Sequence, residues 1–326
     1  MLNFFRHSYP QQLIFIVVTA LVFWLPSFIM KTPVATSDAT APLYNIFVNI
    51  MDFSPFMIKI FAFLTFLFST FFFNSVVTIN RLVTRHKTLA SFCFLCVMCY
   101  APELTTAYPF LFACPFILMA VHTIFLVYQT DNPELYMMNI GYFLAIASLF
   151  YFPAFFLILW VLISFVMMKY NKLRYLLIPV TSMAMIYIIF IGIAYLFGDI
   201  EAFLSPYLTF FERNNFTLEL TSTNIIFLTA LSLLFIISLF LIMTNRNAER
   251  ANNVKKRMEV SMVLAIFSVV LLFIIQPSVY NTLILSVFSL FLSVALSEMK
   301  KTKIANIIMV IVMLSVAFVQ YYALFS

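Results

Sequence analysis

Glycine occurs only three times in 326 residues, at Gly141, Gly192 and Gly198. A phosphate-cradling loop or dinucleotide fingerprint needs clustered glycines, so that backbone N–H groups can approach phosphate. These positions build neither, so nucleotide hydrolysis within this chain is not expected. Charge is scarce as well, at 9% of residues against 64% hydrophobic, with a mean hydropathy of +1.08. Soluble domains carry roughly 25% charged residues, and this chain lacks the polar surface to stay in water. Runs of about 20 apolar residues span a bilayer, and the sequence holds many. The class is all-α, a polytopic helical membrane protein. A transmembrane barrel would show short alternating segments instead of continuous apolar runs.

Histidine is sparse too, with His7, His86 and His122 far apart in the chain. Cys93, Cys96 and Cys99 repeat every three residues inside an apolar helix, and Cys114 follows. A metal centre needs a complete ligand set and a polar surround. These thiols read as small apolar groups packed along a helix face. The net charge of +6 comes from cations in short loops between apolar runs, which is the topogenic pattern. No nucleic-acid partner is expected.

The apolar runs are 12–30, 56–78, 88–100, 107–128, 136–152, 153–168, 175–197, 222–244, 258–275, 278–296 and 303–325. They predict about 11 transmembrane helices in a single integral membrane domain, 1–326, beginning with an uncleaved first span and with no soluble domain at either end. Pro153 removes a backbone donor and disfavours helix just before it, so 136–168 reads as a hairpin of two short helices. With the N-terminus cytoplasmic, the inner loops hold 15 of the 18 Lys and Arg, leaving Lys31, Lys59 and Arg213 outside. A nine-span alternative makes 136–168 a single helix and 88–100 non-spanning. That places the acidic loop with Asp131 and Glu134 outside, where eleven spans leave it inside without a cation.

The outer face then holds residues 31–59, the 102–108 turn, the 150–153 turn and residues 198–221. In the last, Phe203, Leu204, Tyr207, Leu208 and Phe211 recur at helical spacing, which suggests a helix lying in the membrane interface. Asp38, Asp52 and Glu103 can share one water–membrane boundary near the hairpin turn. A carboxylate there can act as a general base toward a hydroxyl, or help hold a divalent cation beside a lipid-linked phosphate. A phosphate would need one of the outer cations. Proton- or ion-coupled transport is the weaker reading, because mid-span acids and matched broken helices are missing.

Residues 37–44 read SDATAPLY, 52–60 read DFSPFMIKI, and 80–110 run from a basic loop through a short span to Pro102-Glu103. Residues 139–156, NIGYFLAIASLFYFPAFF, form a small-residue helix with a turn. In this layout the first 170 residues resemble the GT-C superfamily of polytopic glycosyltransferases, which use polyprenyl-phosphate sugars on the outer face of the membrane. The chain divides accordingly into a GT-C-like N-terminal half, 1–170, and a C-terminal helical half, 171–326. The FYFP-type hairpin is also similar to that of a family of small multispanning inner-membrane proteins of Bacteroidota.

The GT-C resemblance implies Asp38 as the catalytic carboxylate and Glu103 as a secondary acid. Glu103 or Asp52 would orient the acceptor or share the divalent cation, while Arg213 and Lys59 contact the donor phosphate. The expected partners are membrane lipids and a polyprenyl-phosphate sugar donor. The expected place is the bacterial inner membrane, and the expected task is envelope glycan or glycoprotein assembly. Three departures stand against it. Asp38 is followed by Ala39 where these enzymes often pair two acids, Tyr151-Phe152 stand where a lysine is common, and the start of the fourth span is uncharged. They support the alternative, a non-enzymatic scaffold subunit of an envelope-assembly complex.

Overall fold

In hydrocarbon, backbone N–H and C=O groups are satisfied only inside helices or a closed barrel, and this chain forms helices. A computed structural model describes residues 4–6, 10–29, 41–51, 55–83, 86–100, 102–128, 130, 132–197, 200–212, 236, 252–274, 282–299 and 302–322. In chain order the helices are α1 (Pro10–Ile29), α2 (Pro42–Met51), α3 (Pro55–Ile79), α4 (Leu89–Met98), α5 (Pro109–Val127) and α6 (Pro133–Phe150). They continue as α7 (Leu157–Met167), α8 (Leu173–Phe197), α9 (Ile200–Glu212), α10 (Asn252–Ile274), α11 (Thr282–Glu298) and α12 (Thr302–Tyr322). Short 3-10 helices cover Phe4–Arg6, Pro102–Thr105 and Phe152–Phe156. No strand occurs among the described residues, and the apolar run 222–244 lies outside them. Pro10, Pro42, Pro55, Pro109 and Pro133 each open a helix, where the missing N–H would have had no partner in any case.

Five helices are long and apolar enough to cross a membrane: α1, α3, α5, α8 and α12. Their outward faces identify the solvent. On α8, Leu173, Ile188 and Leu196 are 70%, 69% and 81% exposed. Each such side chain left in water forgoes about 1.5–3 kcal/mol, whereas in lipid it loses nothing. The protein is a membrane protein on that ground.

The described contacts divide the chain into two units. The first comprises Met1–Pro33, Thr70–Thr106 and Thr217–Ser326; the second comprises Val34–Ser69 and Ala107–Phe216. In the first unit α4 packs against α11. Every residue of α4 is buried, as an apolar helix enclosed by protein should be. The run 88–100 is expected to span, yet α4 has 10 residues, or about 15 Å of helix, half the hydrocarbon thickness. In α11, Ser286, Ser289, Ser293 and Ser297 are buried and bond back to carbonyls three residues earlier. Small residues keep this helix narrow where glycine is lacking.

In the second unit α6 lies against both α5 and α8. The helix breaks at Tyr151, which is extended (φ −139°, ψ 101°), and α7 then packs back on α6. At the far end, the Arg174 guanidinium pairs with Glu134 at 3.0 Å, and the Tyr170 hydroxyl donates to the Val127 carbonyl at 3.3 Å. The starts of α6 and α8 therefore sit at one end of this unit. A single helix over 136–168 would have put them at opposite ends, so that part of the nine-span alternative is excluded. Glu134 has a cation, contrary to expectation, because Arg174 is close in space and 40 residues away in sequence.

Two helices end in Schellman turns whose left-handed residue is basic. Arg81 has φ 55° and Lys169 φ 69°. Leu82 N–H bonds to the Val77 carbonyl at 3.0 Å, and Tyr170 N–H to that of Phe165 at 2.9 Å, closing the two turns. Glycine usually fills this position, and an L-residue costs about 1–2 kcal/mol there. A positive charge at a helix C-terminus recovers about 0.3–1 kcal/mol.

One glycine is placed where nothing larger fits. A Cβ on Gly141 of α6 would stand 2.3 Å from the Pro179 carbonyl oxygen and 2.9 Å from Ser182 Cβ of α8. Gly141→Val should lower stability by about 1–3 kcal/mol through overpacking, read as a drop in Tm of the detergent-solubilised protein. Gly192, with nothing within 4 Å, should accept Gly192→Ala without loss.

Candidate functional site

The hairpin turn of the second unit gathers Tyr151, Tyr187 and Tyr207. Pro153 needs no N–H partner, and the Phe152–Phe156 helix begins on it. Tyr151 N–H bonds to the Ala147 carbonyl at 2.9 Å, and Ala154 N–H to that of Tyr151 at 3.0 Å, so the break leaves these groups satisfied. The Tyr151 ring meets Phe110 edge-on at 5.5 Å. Phe152 meets Tyr207 of α9 at 5.0 Å, and Tyr207 meets Tyr187 of α8 at 6.3 Å. Tyr187 OH and Ser148 Oγ share a 2.7 Å hydrogen bond. Edge-to-face pairs of this kind are worth about 0.5–1.5 kcal/mol each beyond their burial.

Helix α2 is tied to the same end. The Tyr44 hydroxyl donates to the Ala107 carbonyl, just before α5. Tyr44 and Phe47 pack on Phe112 at 5.9 and 5.0 Å, and Phe112 stacks on Phe150 at 6.1 Å. Burial pushes the Tyr44 phenol well above its ordinary value, so it stays protonated as a donor. Burial, and then the neighbouring Tyr187, push the Tyr207 phenol up as well. Tyr207 differs in one respect. Its hydroxyl oxygen is buried with no hydrogen bond of good geometry among the described residues.

Of the residues expected to act, Asp38, Asp52 and Arg213 lie outside the described residues. In sequence, however, Asp38 and Asp52 flank the anchored α2. Lys59 is in the first turns of α3, in the second unit, and is 6% exposed. Glu103 has its backbone in the Pro102–Thr105 turn of the first unit. That turn is held by Gln320 of α12, fully buried, whose Nε2 donates to the Cys99 carbonyl at 2.6 Å. Thr105 Oγ1 donates to Gln320 Oε1 at 3.4 Å. The four cysteines are buried and free, and no group of three metal-ligating side chains occurs among the described residues.

Sequence reasoning placed Tyr207 on a helix, α9, but as an apolar contact, and it passed over Tyr44, Ser148 and Tyr187. The signal for α2 was present in Pro42 followed by LYNIFVNIM, a proline opening an apolar stretch. The tyrosine pairings link α2 to α5 and α8 to α9, and no local pattern encodes them.

The tyrosines can be told apart. Tyr44→Phe removes a made hydrogen bond and should cost about 1 kcal/mol. Tyr207→Phe removes a buried hydroxyl that makes no hydrogen bond of good geometry among the described residues, and should be neutral or stabilising by up to about 1–3 kcal/mol. Thermal unfolding of the two purified variants checks the contrast.

No curated protein matches the sequence. The family model described as "Family of unknown function (DUF6427)" matches residues 25–325, nearly the whole chain, helices α2 to α12 and the anchored hairpin included. The chain therefore belongs to the DUF6427 family.

Proposed function

We propose that the protein is a GT-C-like membrane transferase, moving a sugar from a polyprenyl-phosphate carrier to an acceptor hydroxyl on the outer face of the bacterial inner membrane. Its task would be envelope glycan or glycoprotein assembly. Asp38 takes the proton of the acceptor hydroxyl, whose oxygen bonds to the anomeric carbon. The bond from that carbon to the phosphate oxygen breaks, and polyprenyl phosphate leaves. Lys59 and Arg213 take up the phosphate charge, and Asp52 orients the acceptor or holds a divalent cation.

The observation that carries this reading is the anchoring of α2. The segment between the two aspartates is fastened to a hairpin lined with aromatic rings and phenol groups. Ligand sites are mostly apolar with a few placed polar groups, and such a lining suits a sugar on an isoprenoid chain. Lys59 adds to it, since a cation buried in a membrane helix is expensive and is a functional candidate by default. A scaffold subunit is the second reading. It is favoured by the hairpin apex, where Tyr151 and Phe152 are 3% and 5% exposed and no charge is present.

Asp38→Asn keeps the shape of the side chain and removes the base. It should lower glycan transfer by about 100-fold or more at unchanged protein level, read from the envelope glycan profile. Lys59→Met should raise the donor requirement, and Lys59→Arg should restore most of it. A normal glycan profile in Asp38→Asn cells rejects the transferase and leaves the scaffold.

A further inference from the structure

In the first unit, the end of α3 and the start of α10 hold a buried guanidinium that no described carboxylate pairs. Arg257 is 4% exposed. Its Nη1 donates to the Asn80 carbonyl at 2.9 Å, at the C-terminus of α3. Its Nε is buried and has no hydrogen-bond partner among the described residues. The next residue after Asn80 is Arg81, exposed and left-handed at φ 55°, and its charge is close enough to act on Arg257. Among the described residues the one ion pair is Arg174 with Glu134, so no described carboxylate pairs with Arg81 or Arg257. The loop also folds back here: Thr78 Oγ1 donates to the Lys87 carbonyl at 3.4 Å, and Lys87 is exposed.

An unpaired buried charge is strongly unfavourable. Capping α3 uses one of the five donors of Arg257, and no described carboxylate balances the charge. Arg81 repeats the anomaly, since a residue in a glycine position brings a second cation to the same corner. Two guanidiniums, one buried with its Nε unused among the described residues and one at the surface, fit the oxygens of a tetrahedral oxyanion better than a point charge. The corner also lies where α3 leaves its apolar run.

We propose that Arg257 and Arg81 form a phosphate-binding site, taking the phosphate of an anionic lipid headgroup or free phosphate. Arg257 holds the oxyanion from the protein side through Nε, and Arg81 closes on it from the aqueous side.

The test is thermal unfolding of the full-length protein in neutral detergent. It is titrated with phosphatidylglycerol, with phosphatidylcholine as the zwitterionic control, and with inorganic phosphate against chloride at matched ionic strength. Phosphatidylglycerol should raise Tm where phosphatidylcholine does not. A matching rise with inorganic phosphate would assign the site to the free anion, and its absence would assign it to the lipid. Arg257→Gln keeps a donor for the Asn80 carbonyl but loses the charge, and should weaken the anion effect by about tenfold or more. Arg81→Gly relieves the left-handed turn, should fold at least as well as the parent, and should weaken the effect likewise. This second variant decides the matter if Arg257→Gln fails to fold. The proposal is overturned if neither anion shifts Tm beyond its control, or if Arg81→Gly keeps the full shift.

Discussion

Hydrocarbon supplies no hydrogen bonds, so any place where this chain stops being helical must be satisfied from within. The break at Tyr151 shows how this is done. Its N–H stays bonded to Ala147, Pro153 has none to satisfy, and the rings of Phe110, Phe152, Tyr187 and Tyr207 close over the turn. Because that break is stable, α7 can return along α6, and the loops bearing Glu134 and Arg174 can meet. The hairpin, the anchoring of α2 and the tyrosine cluster all depend on one internally satisfied interruption.

The scarcity of glycine shapes the rest. Close helix approach falls to Gly141 and to the serines of α11. Left-handed turns fall to Arg81 and Lys169, which join backbone strain to positive charge at the helix ends. Strain without relief is rarely kept. At Arg81 it coincides with the buried guanidinium of Arg257, and the proposed oxyanion would account for both.

Periodicity and composition made the helices legible. The run at 56–78 appears as Pro55–Ile79, that at 175–197 as Leu173–Phe197, and Pro153 marks the hairpin. The short α4 was harder, because hydropathy reads an enclosed core helix and a membrane span alike. The Glu134–Arg174 pair was invisible, being a contact between distant residues, and so were the hydroxyl pairings of Tyr44 and Tyr187. Charge scarcity singled out Asp38, Asp52, Glu103, Lys59 and Arg213 as candidates. Lys59 is 6% exposed, and burying an ammonium group in an apolar helix needs a reason. Charge scarcity gave no warning of Arg257, which in sequence is one more cation in a topogenic loop.

The proposed function requires that the loops bearing Glu134 and Arg174 lie on one face of the membrane and Asp38 on the other. Single-cysteine labelling of intact spheroplasts by a membrane-impermeant maleimide tests it directly, and the four native cysteines are all buried. The account predicts that Glu134→Cys and Arg174→Cys react only after permeabilisation, while Asp38→Cys reacts at once. Labelling of positions 134 and 174 from different sides, or protection of position 38 in intact cells, would contradict it.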